Sequence, residues 1–387
     1  MLRFLTAGES HGELLMGIIE GAPSGLELTC NEIDHELSRR QLGYGRGGRM
    51  RIEKDSVEIT CGVRWGKTLG SPIGLLIRNR DWVNWSDKMS PDPSLTGYIP
   101  PETRPRPGHA DLSGIIKYSH RDIRNVLERA SARETAMRVA IGAVAKKIIG
   151  VFNVEVLSHI IEIGGVKAKV RSTSLDFLKK QAEKSELRCV DKKAELRMKE
   201  NIEEAKKRGD TVGGIFEVIV ANVPPGLGSY SQWDRRMNAR IAYAVMSIPA
   251  IKGVEIGIGF DAARKFGSEV HDALYYNEGK HNFYRKTNRA GGIEGGITNS
   301  ENIIIRAAMK PIATLYQPLD SVDIITKKPF KASIERSDIC AVPAASVVGE
   351  AMVATEIANA ILEKFGGDSI DEIRRNFQGY LKYLKKI

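Results

Sequence analysis

The chain has few cysteines, no long apolar run and no apolar leader. Its four cysteines, in 387 residues, are scattered and show neither a C-x-x-C pair nor a zinc-type spacing. We therefore expect reduced thiols, no metal site and a cytoplasmic protein. No run reaches the roughly 18–20 consecutive apolar residues of a membrane span, and the first ten residues lack the segments of a secretion signal. The sequence thus predicts neither a disulfide scaffold nor a membrane protein.

Internal repeats of fixed period and low-complexity segments are also missing. Glycine-rich turns rather than linkers separate the patterned segments, which favours one intertwined domain over residues 1–387. β-like runs are predicted at 57–63, 73–77, 214–223, 254–260, 303–306 and 322–325. Helices are predicted at 31–40, 122–149, 235–247 and 344–364. The first helix has the spacing of a capping box, and two glycines follow the last one as a C-cap.

The predicted helix 122–149 carries two kinds of residue. Apolar positions recur at helical spacing, while Arg124, Ser131, Thr135 and Arg138 form a polar stripe on a different side. Polar groups on a core-seeking helix indicate that it lines a wet cavity. A different segment, 172–208, is densely charged with both signs and is predicted to be a solvated helical excursion without chemistry.

The net charge of +10 admits nucleic acid, an anionic membrane or a small polyanionic substrate as partner. Segment 39–51 holds five arginines among glycines and contains no acid. The planar guanidinium binds carboxylate and phosphate through two parallel hydrogen bonds, and glycines let the backbone fold around an anion. An exposed charged surface and a flexible nucleic-acid-binding segment are the alternatives. Against the latter, the stretch has one aromatic residue, Tyr44, where single-strand binders stack several bases.

Two loops present a histidine beside glycine. Gly8-Glu9-Ser10-His11-Gly12 would present Ser10 and His11 at the end of a strand, and histidine suits proton transfer near neutral pH. The loop RPRPGHAD at 104–111 is stiffened by its prolines and carries Arg106 and His109. Such a loop could hold a leaving phosphate while a proton moves. A plain structural turn is the alternative for each loop.

Three further segments combine charge with small residues. Segment 128–135 lies on the predicted long helix. Segment 288–296 has two double glycines around Glu294 and, with 310–314, fits a loop lying against a flat or phosphorylated ligand. Glu335-Arg336-Ser337-Asp338 sets acids beside a guanidinium, for which a plain salt bridge is the alternative.

Taken in chain order, these motifs resemble those of the chorismate synthase family. The resemblance runs from Met1 to about Leu362 and is weakest over 172–208. The motifs that carry it are GESHG, RRQLGYGRGGRM, GKTLGSPI, RPRPGHAD, ERASARETAMRVAIGA, GLGS with WDRR, AIKGVEIG, NRAGGIEGG, AAMKPI and RSDICAVPAA. Each motif is weak by itself, but their order and spacing together are specific.

The resemblance implies an α+β fold: a single large domain built as a four-layer β-α-α-β sandwich with an internal pseudo-twofold, assembled as a homotetramer. It implies the anti-1,4 elimination of phosphate and a ring hydrogen from 5-enolpyruvylshikimate 3-phosphate, giving chorismate in the shikimate pathway of aromatic amino acid biosynthesis. The family's reaction requires reduced FMN although no net oxidation occurs. Some members reduce their flavin with NADPH, which the resemblance places at Arg40 and Arg46.

The resemblance also assigns site residues. His11 would serve the departing phosphate, His109 the N1 side of the flavin, and Asp338, assisted by Ser10 and Ser131, proton removal through flavin N5. The substrate-binding arginines would be Arg40, Arg46, Arg49, Arg106 and Arg133, with Arg39 and Arg129 as further candidates. The flavin would be held by Arg129, Ala130, Ser131, Pro249, Ala250, Gly295, Lys310, Pro311, Ile312, Ala313, Thr314 and Arg336.

Two functions from other classes remain open on the residues alone. A nucleic-acid-binding protein would use segment 39–51 but has no use for His11 or His109. An NAD(P)H-flavin oxidoreductase would need a G-x-G-x-x-G turn between a strand and a helix; residues 43–48 have that spacing but follow a predicted helix. We expect a small polyanionic substrate as the partner, and neither nucleic acid nor membrane.

Overall fold

A computed structural model describes residues 1–47, 54–170, 174–279, 281–335 and 337–387. Its α-helices are α1 (Cys30–Gln41), α2 (Asp111–Tyr118), α3 (Arg124–Ala130), α4 (Thr135–Gly150), α5 (Leu175–Lys184), α6 (Lys192–Lys207), α7 (Met237–Met246), α8 (Gly267–Val270), α9 (Val342–Phe365) and α10 (Ile370–Leu384). Its long strands are β1 (Arg3–Ala7), β2 (Leu14–Glu20), β3 (Val57–Cys61), β4 (Ile73–Arg78), β5 (Glu155–Ile163), β6 (Gly214–Ala221), β7 (Ile251–Ile256) and β8 (Ile303–Met309). Short strands are Val63–Arg64, Lys67–Thr68, Val166–Lys167, Leu274–Asn277, Asn282–Arg285, Ile293–Glu294, Ile297–Thr298, Asp320–Val322 and Pro329–Lys331.

The two large sheets repeat one connection pattern. The antiparallel strands lie in the order β1-β2-β4-β3 in the first sheet and β5-β6-β8-β7 in the second, which Val166–Lys167 extends beside β5. Each sheet is formed in the same chain order: two strands, a helix (α1 or α7), two strands and a second helix (α4 or α9). The chain thus contains two copies of a ββαββα unit, which confirms the predicted pseudo-twofold.

The helices lie between the sheets and complete four layers. α1 and α4 pack on the first sheet, α7 and α9 pack on the second, and α4 packs against α9 at the centre. Apolar side chains from both sheets and all four helices join in one hydrophobic cluster, because every layer turns an apolar face inward. This arrangement confirms the predicted α+β, four-layer β-α-α-β fold.

The two units also share a local hydrogen-bond pattern. In the first, Thr68 Oγ1 donates to the carbonyl of Pro23 at 2.6 Å and accepts from the backbone N–H of Leu26 at 2.9 Å. In the second, Thr298 Oγ1 makes the same two bonds, to Pro224 at 2.7 Å and from Leu227 at 2.9 Å. A buried threonine therefore ties the loop after the second strand to a short hairpin in each copy.

Most predicted elements are confirmed with small shifts of their ends. Predicted helices 31–40, 235–247 and 344–364 correspond to α1, α7 and α9; α1 has its capping box between Thr29 and Glu32, and Gly366 is the C-cap of α9 with φ +60°. Five of the six predicted strands form, although the one predicted at 254–260 ends at Ile256 and a 3-10 turn begins at Gly259. The sixth, 322–325, is wrong, because the strand there ends at Val322 and Asp323 accepts turn hydrogen bonds from the backbone of Ile325 and Thr326.

The prediction of one helix over 122–149 is also wrong. α3 ends at Ala130, Ser131 is extended (φ −62°, ψ 142°), and a 3-10 turn at Ala132–Glu134 precedes α4. The hydroxyl of Ser131 accepts from the backbone N–H of Arg133, so it begins a new helical segment there. The polar stripe assumed for a continuous helix therefore does not exist as one face.

The charged segment 172–208 is helical, as predicted, but it is not simply solvated. Of its described part, α5 and α6 bury an apolar stripe each, and α6 buries Ala194, Met198 and Ile202 against the main core. Arg188, between the two helices, reaches Glu350 on α9 at 3.0 Å. The apolar stripes were not predicted, because lysine and glutamate occupy most of the remaining positions and dominate the composition of the segment.

Helix α9 is long and apolar enough to cross a membrane by length and composition. In the described structure, 94% of its most apolar window is buried inside the protein. Its small residues let it approach its neighbours closely: a Cβ built on Gly142 of α4 would lie 2.3 Å from Ala351 Cβ and 2.5 Å from Ala351 Cα on α9. By its burial, α9 is the central helix of the core.

Replacing Gly142 with alanine should destabilise the fold. The added methyl would force α4 and α9 apart, and overpacking of this kind costs about 1–3 kcal/mol, which outweighs the roughly 1 kcal/mol that alanine adds in a helix. Gly150→Ala is the matched control, because a Cβ there meets no atom within 4 Å. Urea unfolding followed by circular dichroism measures both. A Gly142→Ala variant as stable as Gly150→Ala would contradict the close packing.

Candidate active site

Several of the predicted site residues lie where the C-terminal end of α1 meets the N-terminal ends of α4 and α9. Arg40, in the last turn of α1, donates from Nε to Thr135 Oγ1, the first residue of α4, at 3.1 Å. Just beyond α1, the carbonyl of Gly45 accepts from the backbone N–H of Ile339, which precedes α9, at 2.9 Å. Helix N-termini carry partial positive charge, so two of them face this region.

His11 is held by a glutamate on α3. Its Nδ1 lies 2.8 Å from Glu128 Oε1, and its backbone N–H donates to Glu128 Oε2 at 2.8 Å. One face of the imidazole stacks on Trp85, with 3.8 Å between ring centroids and 18° between planes. Arg124 lies beside the same carboxylate, with Nη1 4.0 Å from Glu128 Oε1. The His11 side chain is only 15% exposed, so its position is well defined.

The break between α3 and α4 brings two serines together. Ser10 is buried, and Ser131 Oγ donates to Ser10 Oγ at 3.1 Å. The backbone N–H of Ser10 donates to the carbonyl of Glu128 at 3.0 Å. The GESHG loop is therefore bound along the end of α3, and the extended backbone at Ser131 points its hydroxyl at that loop.

Arg40 and Arg133 both lie beside one buried aspartate, Asp55. Arg133 Nη1 lies 2.7 Å from both carboxylate oxygens of Asp55, and Arg40 Nη1 lies 3.9 Å from Asp55. Arg40 also donates to the carbonyl of Ala132 at 3.0 Å. Two guanidiniums therefore lie close to Asp55 and next to the segment that carries Ser131.

Arg46 and Asp338 pair across the two halves of the chain. Arg46 Nη1 lies 3.1 Å from Asp338 Oδ2, and the backbone N–H of Gly47 donates to Asp338 Oδ1 at 2.6 Å. The sequence segment 335–338 thus uses Asp338 to hold the arginine loop that follows α1. The predicted site residues Arg49 and Arg336 lie outside the described residues.

The loop of His109 contains a second carboxylate-bound histidine. His109 Nδ1 lies 2.5 Å from Asp111 Oδ1, and Arg106 donates from Nε to Asp111 Oδ2 at 2.9 Å. Burial opposes ionisation of Asp111, but hydrogen bonds and charge from His109 and Arg106 hold its pKa well below its usual range. Arg106 Nη1 also donates to Thr314 Oγ1 at 2.9 Å. An ionised Asp111 therefore orients both His109 and Arg106.

Most of the predicted flavin segments lie near that loop. Lys310 donates from Nζ to the carbonyl of Gly108 and from its backbone N–H to the carbonyl of Ala250, the latter at 3.0 Å. Ala250 follows Pro249 and has a left-handed φ of +69°. Segment 310–314 is thus bound on one side by the His109 loop and on the other by the end of α7.

Two predicted flavin positions lie apart from that segment. The carbonyl of Gly296, next to Gly295, accepts from Met237 N–H at the N-terminal end of α7. Ala250 lies beyond the C-terminal end of α7, a helix of ten residues, or about 15 Å at 1.5 Å per residue. Arg129 is exposed and donates to the carbonyls of Thr6 and Gly8 on the other side of the site.

Hydrogen bonds connect the separate groups. Thr211 Oγ1 donates to the carbonyl of Ile312 at 2.7 Å, and Val212 N–H donates to the carbonyl of Ile339 at 2.9 Å. Thr211 and Val212 thus connect the predicted flavin segment 310–314 to Ile339, the residue after Asp338. The backbone N–H of Arg133 donates to Ser131 Oγ at 3.3 Å. This bond connects the arginine pair at Asp55 to the two serines, and Ser10 is the residue before His11.

Sequence reasoning missed the residues that hold the predicted ones in place. They are Glu128 and Trp85 at His11, Asp111 at His109, Asp55 at Arg133 and Thr135 at Arg40. Asp111 had a detectable signal, since it lies two residues after His109. Glu128 and Asp55 had none, because the fold alone brings them to partners 117 and 78 residues away.

Arg39, a further substrate candidate, lies in a structural cluster instead. It donates to Glu350 on α9 at 2.7 and 2.9 Å and to Glu36 on α1 at 2.6 Å. Its side chain points away from Arg40 into the helix layers, because neighbouring helix residues project about 100° apart. The candidate is corrected to a core ion pair.

Comparisons with known proteins agree on one family. The family described as chorismate synthase matches residues 2–362. The chain is 60% identical to the chorismate synthase of Geobacter sulfurreducens over 100% of both chains, and 56% identical to that of Aquifex aeolicus over 99% of this chain and 98% of the other. A crystal structure of chorismate synthase superposes with a TM-score of 0.81 at 47% identity, covering 100% of this chain and 99% of that one. The chain belongs to the chorismate synthase family.

Proposed function

We propose that this chain eliminates phosphate and a ring hydrogen from 5-enolpyruvylshikimate 3-phosphate to give chorismate, with reduced FMN as cofactor. The observation that carries the proposal is the convergence of a carboxylate-bound His11 with Arg40, Arg46 and Arg133 at two helix N-termini. These groups come from segments far apart in the chain. They are the charges that an elimination of phosphate from a polyanionic ester requires.

The substrate carries two carboxylates and a phosphate, and the arginines would hold it. A guanidinium binds such groups through two parallel hydrogen bonds. Arg124 adds a cation beside His11, and its buried Nε has no hydrogen-bond partner in the described part of the chain. A phosphate oxygen placed next to His11 would satisfy it.

His11 would act on the departing phosphate. Glu128 contacts its Nδ1, so Nε2 would be the nitrogen that serves a substrate. A protonated imidazole neutralises the charge that develops on a leaving oxygen. Asp338, with Ser10 and Ser131, would take part in removing the ring hydrogen, and Arg46 and Gly47 N–H position its carboxylate.

The residues around segment 310–314 fit a reduced flavin. Lys310 and Arg106 supply positive charge, His109 supplies an imidazole backed by Asp111, and the segment borders Gly108 and Ala250, which carry no bulky side chain. Reduced flavin would supply the transient electron density that phosphate loss demands. Pro249, Ala250, Lys310–Thr314, Ser131 and Ala130 would hold it, with Arg129 and Gly295 as outlying contacts and Arg49 and Arg336 as further candidates beyond the described residues.

Three further parts of the proposal extend it. NADPH would bind at Arg40 and Arg46 if the chain reduces its own flavin.

The protein would act as a homotetramer. On the outer face of the first sheet, Leu5, Met16 and Ile18 lie side by side and are 74%, 42% and 46% exposed. An exposed apolar patch of this kind supports a contact between subunits on that face. The reaction would take place in the cytoplasm, where we place a soluble biosynthetic family of this kind.

The alternatives from other classes are not supported. A nucleic-acid footprint needs exposed cations along a surface. Among the described arginines of segment 39–51, the side chains of Arg39, Arg40 and Arg46 are at most 9% exposed and face carboxylates within the protein. The glycines at 43–48 follow α1 rather than a strand, which is the wrong context for a dinucleotide-binding turn.

Phosphate release under anaerobic conditions tests the proposal. We expect inorganic phosphate and chorismate from 5-enolpyruvylshikimate 3-phosphate with photoreduced FMN, and neither product with oxidised FMN, because the cofactor acts only in its reduced state. A third reaction with oxidised FMN and NADPH decides whether the chain reduces its own flavin. Absence of phosphate release with photoreduced FMN would overturn the proposed function.

A further inference from the structure

Glu128 contacts His11 at both the backbone N–H and the ring. Its carboxylate accepts the backbone N–H of His11 on one oxygen and lies 2.8 Å from the ring Nδ1 with the other, while its own carbonyl accepts from Ser10 N–H. The Glu128 side chain is 1% exposed. Both oxygens of a buried carboxylate are therefore directed at one histidine, 117 residues away in the chain.

This geometry determines which ring nitrogen carries the proton in neutral His11. A carboxylate can only accept, so the nitrogen facing it must be Nδ1–H. Neutral His11 then presents an unprotonated Nε2, and protonated His11 presents an Nε2–H that can be donated. Stacking on Trp85 holds the plane of the ring, and the contact between Nδ1 and Glu128 distinguishes this orientation from the flipped one, so Nε2 keeps one direction.

We propose that Glu128 is a positioning residue for His11: its carboxylate keeps the ring proton on Nδ1 and thereby turns Nε2 towards the phosphate that leaves. The inference rests on the proposed role of His11 but concerns a different residue and a different observable. Glu128 itself touches neither substrate nor cofactor in this assignment.

Further charged groups near the ring, within the described part of the chain, lie around Glu128 and Trp85. Arg124 on α3 lies 4.0 Å from Glu128 Oε1 and 5.7 Å from the Trp85 ring centroid. Lys88 lies 5.0 Å from that centroid, and Asp81 accepts from Trp85 Nε1 at 3.2 Å. Both groups contact the Trp85 ring. Among the described carboxylates, Glu128 is the one that contacts the His11 ring directly.

Glu128→Gln tests the assignment. Glutamine keeps the shape but removes the negative charge, and it cannot accept from both N–H groups. Without the paired carboxylate the ring proton is no longer held on Nδ1, so the turnover of phosphate release should fall while KM changes little. The control is Glu134→Gln, a neighbouring buried glutamate that pairs with Arg138 and not with a histidine.

Nitrogen-15 NMR of ring-labelled histidine gives a readout that needs no turnover, and His11→Ala assigns the signal among the seven histidines. We expect the Nδ1–H tautomer in the wild type and a mixture in Glu128→Gln. An Nε2–H tautomer in the wild type would overturn the proposal even if the variant does not fold, as would an unchanged Nδ1–H tautomer in a folded Glu128→Gln variant. Full activity of His11→Ala would instead remove the proposed function of His11 and leave the tautomer result standing.

Discussion

Replacing His11 with alanine should lower the turnover of phosphate release by about 10²-fold or more, the range expected for losing an acid–base group. The imidazole is the titratable group that Glu128 and Trp85 hold in the site, and no other histidine occupies that position in the described structure. The fold should persist, because the side chain lies at the edge of a loop rather than in the core. His109→Ala should lose activity on the same scale, since His109 belongs to the separate Asp111 pair.

Stopped-flow or coupled measurement of phosphate with reduced FMN and saturating substrate gives the rate, and circular dichroism checks the fold. His35→Ala is the matched control, because His35 is exposed on α1 and lies outside the site. Wild-type rates in both site variants would show that neither histidine has the assigned role, whereas a loss in His35→Ala would point to a general effect on the fold.

Replacing Glu350 with glutamine should reduce the free energy of unfolding by about 3–5 kcal/mol, the cost of breaking a buried ion pair from one side. Glu350 has no exposed side-chain surface and contacts Lys146 at 2.5 Å, Arg39 at 2.7 Å and Arg188 at 3.0 Å. Its loss would leave three cations with only Glu36 and Glu183. The amide cannot replace the missing charge.

The effect should depend on pH in one direction. Burial opposes ionisation of Glu350, but Lys146, Arg39 and Arg188 hold its pKa well below the usual range. A carboxyl with a depressed folded pKa contributes its stability above the unfolded pKa, about 4.3 for glutamate, and loses it as the pH falls through the folded value. Wild type and Glu350→Gln should therefore differ most near pH 7 and converge in strong acid.

Urea unfolding at several pH values measures both effects. Glu356→Gln on the same helix is the control: it pairs with one arginine, Arg240, and burial raises its pKa, so its loss should cost much less. A Glu350→Gln variant within 1 kcal/mol of the wild type at pH 7 would mean that the cluster is compensated by water or relaxation.

Local patterns predicted the elements better than their assembly. α1, with its capping box, and α9, with its run of small residues, were predictable because their signals lie within one helix. The break at Ser131 was not, because the apolar spacing continues across it and a contact with Ser10, 121 residues away, decides it. β1, β2 and β5 were missed, since their short alternating runs are weak without the neighbouring strands.

The site was predictable to the same extent. Motif order identified the family and placed the histidines and arginines, but nothing in the sequence pairs Glu128 with His11 or Asp55 with Arg133. In the sequence, the ββαββα repeat is reflected by a short match at equivalent positions, Pro23-Ser-Gly-Leu26 and Pro224-Pro-Gly-Leu227. Four residues in two hundred are too few to be recognised as a repeat before the sheets are seen.

The paired units also bear on how such a cleft could arise. α4 and α9 occupy equivalent places in the two units, and both direct their N-terminal ends at the arginine loop. A protein of one unit would have one such helix end, and two identical copies facing each other would have formed a symmetric anion cradle on their shared axis. In this chain the two units differ at that place: the first contributes His11 and Arg133, and the second contributes Asp338 and Lys310. A scaffold with two equivalent helix ends thus presents different side chains on its two sides.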